Sequence, residues 1–128
     1  MARPTVVLQS MFTADSNQAQ DSRFAVRIPG GAKSALCLIN VMAGPSVGTA
    51  DIRIYTATDL LINPQLVASG AGIFWASLGV ASAIAATTAG AGVKVVTLTP
   101  VGEYVRWATE GMTGSGLRFS VTIYPFDA

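Results

Sequence analysis

The side chains able to do chemistry are few here, and their types narrow what that chemistry could be. There is no histidine, so the commonest general base and the commonest metal ligand are both missing. Neither a Ser–His nor a Cys–His pair can form. One cysteine, Cys37, has no partner for an internal disulfide. It lies in the apolar run Ala35-Leu36-Cys37-Leu38-Ile39, where a buried, inert thiol is expected. The acids are Asp15, Asp21, Asp51, Asp59, Glu103, Glu110 and Asp127. Two carboxylates can hydrolyse a glycoside, but no pair is singled out, because most of these acids fall in turns or at strand ends. A zinc ion would have only carboxylates and one thiol to draw on, a poor donor set. Asp15-Ser16-Asn17 and Asp21-Ser22 offer oxygens to calcium. They lack the spacing and glycine of an EF-hand, and turn formation accounts for the same residues. Gly30-Gly31-Ala32-Lys33-Ser34 looks like the end of a phosphate loop, but the upstream glycine is missing and a strand follows instead of a helix. The expectation is a protein that is not an enzyme and holds no cofactor or metal.

Four arginines, Arg27, Arg53, Arg106 and Arg118, each interrupt an apolar run at an outward position. Asp51 and Glu110 share strand faces with Arg53 and Arg106 and could pair with them. Equally, Arg53, Arg106 and Arg118 could contact a partner, since arginine is favoured in interfaces. Both alternatives stay open at this level.

The elements that must position these residues read as strands. Period-2 alternation bounded by Gly, Pro, Asn and Asp recurs along the chain. It marks Thr5–Leu8, Phe24–Ile28, Asp51–Tyr55, Val93–Leu98, Tyr104–Trp107 and, most clearly, Leu117–Tyr124. In the last of these, Leu117, Phe119, Val121 and Ile123 are expected to face the core. Ala35–Met42 is apolar throughout except Asn40, as a central strand would be. Leu66–Ala68 and Ile73–Ala76 look like two short strands, and Leu78–Ala91 like an irregular excursion. With 128 residues there is room for one domain. The fold expected over residues 1–128 is all-β: a single antiparallel β-sandwich, jelly-roll-like, of about eight strands. An N-terminal arm over about residues 1–12 and an uncharged excursion over about 60–92 stand outside it.

Composition bears on partners. Apolar residues make up 51% of the chain and charged residues 12%, about half the usual charged share. So few charges point to a surface buried against neighbours. A net charge of +1 gives no nucleic-acid footprint. Ile73–Val93 is long enough to span a bilayer, but it is rich in Ala, Gly, Ser and Thr and has no flanking basic cluster. No membrane partner is expected. No apolar leader follows Met1, so synthesis in a reducing cytoplasm is expected. The arm and the excursion are the expected contact segments, with Ile73, Phe74 and Trp75 as an anchor cluster; the other possibility is that Phe74 and Trp75 fill their own core.

Ser34–Tyr55 combines an apolar strand, a Gly/Pro/Ser turn and Thr49-Ala50-Asp51-Ile52-Arg53-Ile54-Tyr55. Glu103-Tyr104-Val105-Arg106-Trp107 then leads through a Gly/Thr/Ser turn to Leu117-Arg118-Phe119-Ser120-Val121-Thr122. This stretch resembles small β-sandwich virion proteins of tailed bacteriophages that decorate or cement capsids. The resemblance implies a non-enzymatic homo-oligomer, a trimer by preference, seated on the major capsid protein at the virion surface. An alternative is a carbohydrate- or receptor-binding module of a phage fibre or tail, with Trp75, Trp107, Tyr55 or Tyr124 stacking on sugars. Trp107, however, shares a strand face with Val105 and reads as core.

Overall fold

The computed structural model describes residues 5–20, 25–28, 34–57, 76–99, 101 and 104–126. Among them lie nine strands: β1 (Val6–Ala14), β2 (Gln18–Ala19), β3 (Val26–Arg27), β4 (Ser34–Ala43), β5 (Thr49–Ala57), β6 (Ala76–Ala85), β7 (Gly92–Leu98), β8 (Tyr104–Glu110) and β9 (Leu117–Phe126). One sheet has the order β1-β9-β4-β7 and the other β2-β8-β5-β6, with β3 also on β8. Every pairing is antiparallel. Because β2 and β3 pair with successive parts of β8, they act as one interrupted strand, and the sandwich has eight strand positions. Successive strand positions then alternate between the sheets, apart from the β5–β6 hairpin within one sheet, in the nested order of a jelly roll. The chain is the all-β antiparallel sandwich expected from its alternation.

That alternation works through burial. In β9, Leu117, Phe119, Val121 and Ile123 are fully buried, while Arg118 and Tyr124 are exposed. In β5, Ala50, Ile52 and Ile54 point inward between Asp51, Arg53 and Tyr55. The two sheets are joined at the centre by aromatic rings. Trp107 of β8 meets Phe119 of β9 edge-on at 5.1 Å, and Phe12 of β1 touches both, at 5.1 and 6.0 Å. The Trp107 indole N–H donates to Gln9 Oε1 at 3.0 Å, so its one polar atom is satisfied inside the core. One flank is closed where β6 approaches β7. Gly79 is needed there, since a Cβ on it would lie 2.3 Å from Val96 Cγ1.

Two expectations are corrected. The arm over residues 1–12 is, from Val6 onward, an integral strand: β1 runs to Ala14 and pairs with β9 from Val6↔Ile123 to Ala14↔Leu117. Its inward Leu8 and Ala14 belong to the core, and apolar side chains at that spacing are held more firmly in a sheet than in a free arm. The excursion over 60–92 is regular in its second half. Leu78–Ala85 belongs to β6, paired along β5, and Thr87–Gly90 is one 3-10 turn leading into β7. Alanine and glycine favour strands little on their own, but inward Ala81 and Ile84 and the waiting edge of β5 override that preference. The central strand expected over Ala35–Met42 is β4, which pairs with β7 on one side and β9 on the other; its outer face is not buried, a point developed below. Phe24, Leu66–Ala68 and residues 73–75 lie outside the described residues.

Candidate functional site

The two outer faces of the sandwich differ in chemistry. On the first sheet, β1 and β4 carry no charged residue, β7 carries only Lys94 and β9 only Arg118. Register places Leu38 opposite Val95 on one side and Thr122 on the other, and Leu36 opposite Thr97 and Tyr124. Asn40 faces Val93. Val93 and Val95 are 57% and 61% exposed, and Leu36, Met42 and Tyr124 are also open. An antiparallel sheet with one face in water ordinarily alternates apolar and polar residues. Here β4 is apolar on both sides apart from Asn40, and β7 turns Val93 and Val95 outward, so the outer face is an apolar strip flanked by Thr and Asn.

The second sheet turns outward an ionic network. Arg53 Nε donates to Glu110 Oε1 at 2.7 Å, and its Nη1 to Ser77 Oγ at 2.9 Å. The Tyr55 hydroxyl donates to the other Glu110 oxygen. These two donors hold the Glu110 carboxyl below its ordinary range, the tyrosine's first. The same bonds push the Tyr55 hydroxyl and the Arg53 guanidinium up. Arg106 stands opposite Tyr55, and its Nη1 donates to the Gln20 carbonyl at 3.2 Å. Asp51 accepts the Ala83 N–H at 2.8 Å.

These positions sort the arginines. Arg53 and Arg106 share the outer face of the second sheet, with Arg27 on β3 beside Tyr104. Arg118 is on the first sheet, on the other side of the molecule. The three candidate interface arginines therefore do not form one surface. The ion pair is diagonal across the strands, Arg53 with Glu110; Asp51 is spent on the backbone. Ile73, Phe74 and Trp75 lie outside the described residues. The apolar outer strip was not singled out from sequence, although its signal was present: Ala35–Met42 is apolar at both parities, which a two-layer sandwich cannot bury on both sides.

Asp15 and Asn17 serve a turn. Asp15 Oδ1 accepts the Gly116 N–H at 3.1 Å and Asn17 Oδ1 the Met112 N–H at 2.9 Å. Among the described residues no cluster of three Cys, Asp or Glu could hold a metal ion, and no helix is long and apolar enough to cross a membrane. An open cleft of about 610 Å³ runs between β1 and the segment Gln18–Gln20, over Phe12, Val26 and Trp107. Its amides are occupied: Gln20 Nε2 donates to the Leu8 carbonyl at 3.0 Å, and Gln20 Oε1 accepts the backbone N–H of Trp107 at 3.3 Å. Trp107 is 2% exposed and offers no ring face to a ligand. The cleft is a seam tied across by glutamines. Compared with known protein families, curated proteins and solved structures, the chain matches none.

Proposed function

We propose that this protein is a structural component of a bacteriophage virion, which binds the outside of the capsid by the outer face of its first sheet and stabilises or decorates it. The observation that supports this reading is the apolar strip of Leu36, Leu38, Val93, Val95 and Tyr124, set on four strands with two charges. Four strands of 7 to 10 residues, about 4.8 Å apart, make a face of roughly 500 Å². The apolar side chains take up part of that face, and contiguous exposed apolar patches of a few hundred Å² often mark interaction surfaces. A ligand that binds only the assembled lattice shifts assembly towards it by mass action, and a flat apolar face suits that role. The capsid as partner rests on the resemblance to phage decoration proteins; so does a homo-oligomeric, trimeric state. Jelly rolls also serve lectins, so the fold alone does not choose between these uses.

The test is a double variant, Leu38→Lys with Val95→Lys, on the outward positions. Native chain should co-sediment with capsids from the phage that encodes it. The variant should melt within a few degrees of native and bind at least about tenfold more weakly, a loss of about 1.4 kcal/mol. Undiminished capsid binding by the variant would sink the proposal.

A further inference from the structure

The large apolar side chains left open to solvent are not scattered. Among the described residues all but Val47 lie on the first sheet. Two of them, Met11 and Met42, are methionines outside the strip of Leu36, Leu38, Val93, Val95 and Tyr124. Met11 is 42% exposed and Met42 47%, whereas Met112 is buried; Met1 lies outside the described residues. Pairing with β9 sets Met11 and Met42 at one level of the sheet. Phe12 and Val41 stand on either side of Phe119, and Thr13 and Ala43 on either side of Arg118. Phe12 turns inward onto Trp107 and Phe119, and Val41 is buried, so the methionines next to them in the chain turn outward. Their backbones are two strand spacings apart, about 10 Å. Met42 shares a face of β4 with Leu36 and Leu38, so it continues the apolar strip.

The thioether is the group on this face that a peroxide oxidises. The sulfur takes one oxygen atom and becomes a sulfoxide, the O–O bond breaks, and the peroxide leaves as water or an alcohol. Sulfur gives up two electrons and the peroxide accepts them. Exposure controls the reaction, and it singles out Met11 and Met42. We propose that these two methionines are peroxide-oxidation sites and together form a reversible redox switch on the apolar face. Reduced, they extend the strip with soft, unbranched side chains that adapt to the surface pressed against them. Oxidised, they place two polar S–O groups there, and burying such a group against an apolar partner costs free energy unless it finds a donor. Neither side chain belongs to the core, so the fold survives the change. The effect on binding rests on the capsid-binding reading of this face; the choice of the two sulfurs rests on exposure alone. A bound capsid would cover both, so the switch acts on the free chain.

Hydrogen peroxide treatment of the folded chain, followed by peptide mass mapping, tests the sites. Met11 and Met42 should each gain one oxygen at least about tenfold faster than Met112, with a melting transition within a few degrees of native. The oxidised chain should then bind capsids at least about tenfold more weakly in co-sedimentation. Met11→Leu with Met42→Leu keeps the apolar area and removes both sulfurs, and should bind like native chain before and after peroxide. Methionine sulfoxide reductases for both epimers, with a thiol reductant, should restore binding to the oxidised chain. Oxidation of Met112 as fast as the other two overturns the proposal. So does full binding by the doubly oxidised chain, or loss of binding by the peroxide-treated leucine variant. If untreated native chain binds no capsid, the capsid-binding reading fails, and the oxidation rates still decide whether Met11 and Met42 are the sites.

Discussion

Glu110 shows how one side chain orders its neighbours. It accepts from Arg53 and Tyr55 at once, and both bonds favour its charged form. Its carboxyl is held below the ordinary value of 4.5, so the stabilisation it gives is present above that pH and is lost as pH falls through its lowered value in the folded state. The group is partly exposed, so the contribution is at most about 1 kcal/mol. Chemical denaturation of native and Glu110→Gln protein should show native more stable at pH 7, with the gap closing as pH drops below 4.5. An unchanging gap would remove the ionic bond from the account. Cys37 behaves oppositely. Burial pushes its thiol up to about 12, and its side chain is fully enclosed. A water-soluble disulfide reagent at pH 8 should leave the folded chain untouched and label it only at the rate of unfolding, since the reactive species is the thiolate. Fast labelling of native protein would show the site to be open.

At the scale of elements, β6 is the strand in which local preference and tertiary demand conflict most. Its register along β5 slips between Ala50 and Ile52, and Ala83 at that bulge has φ 53°, a left-handed conformation that costs an L-residue with a Cβ about 1–2 kcal/mol. Asp51 holds it there by accepting the Ala83 N–H. Ala83→Gly should therefore raise stability by about 0.5–1 kcal/mol in thermal melts, the strain relieved less the added freedom of the unfolded chain. A loss of stability would mean the bulge is not strained. Gly44 and Gly90 constrain the same strand end from outside. A Cβ on either would fall 1.8 or 2.0 Å from the Ala85 carbonyl oxygen, so neither position admits a side chain without moving backbone. Gly44→Ala should cost about 3 kcal/mol or more in the same melts.

At the scale of the whole molecule, the sandwich is two-sided: an ionic, tyrosine-bearing sheet on one face and an almost uncharged apolar sheet on the other, joined through Phe12, Trp107 and Phe119. Phe119 is fully buried at that joint, so Phe119→Ala should cost on the order of 3–5 kcal/mol in denaturant unfolding; a cost near zero would invert the assignment of faces on β9. How much of this was legible along the chain follows from the range of the interactions. Alternation is a local property, and by itself it determined the all-β class, the inward set of β9 and β5, and the core place of Trp107 beside Val105. Small residues in the β6 segment carry no such signal, so its status as a strand was decided by the edge of β5 that receives it. The arm likewise became β1 because β9 had a free edge and the core had room for Leu8 and Ala14. Which arginines share a face is a matter of strand order, and strand order in a jelly roll joins residues far apart in the chain. Thus only the tertiary structure separated Arg118 from Arg53 and Arg106 and joined Arg53 to Glu110. The sequence by itself determined that the chain has too few charges to cover a sandwich evenly. Only the folded sheet order decided that, among the described residues, the charge-poor strands β1, β4, β7 and β9 pair with one another and leave one sheet nearly uncharged.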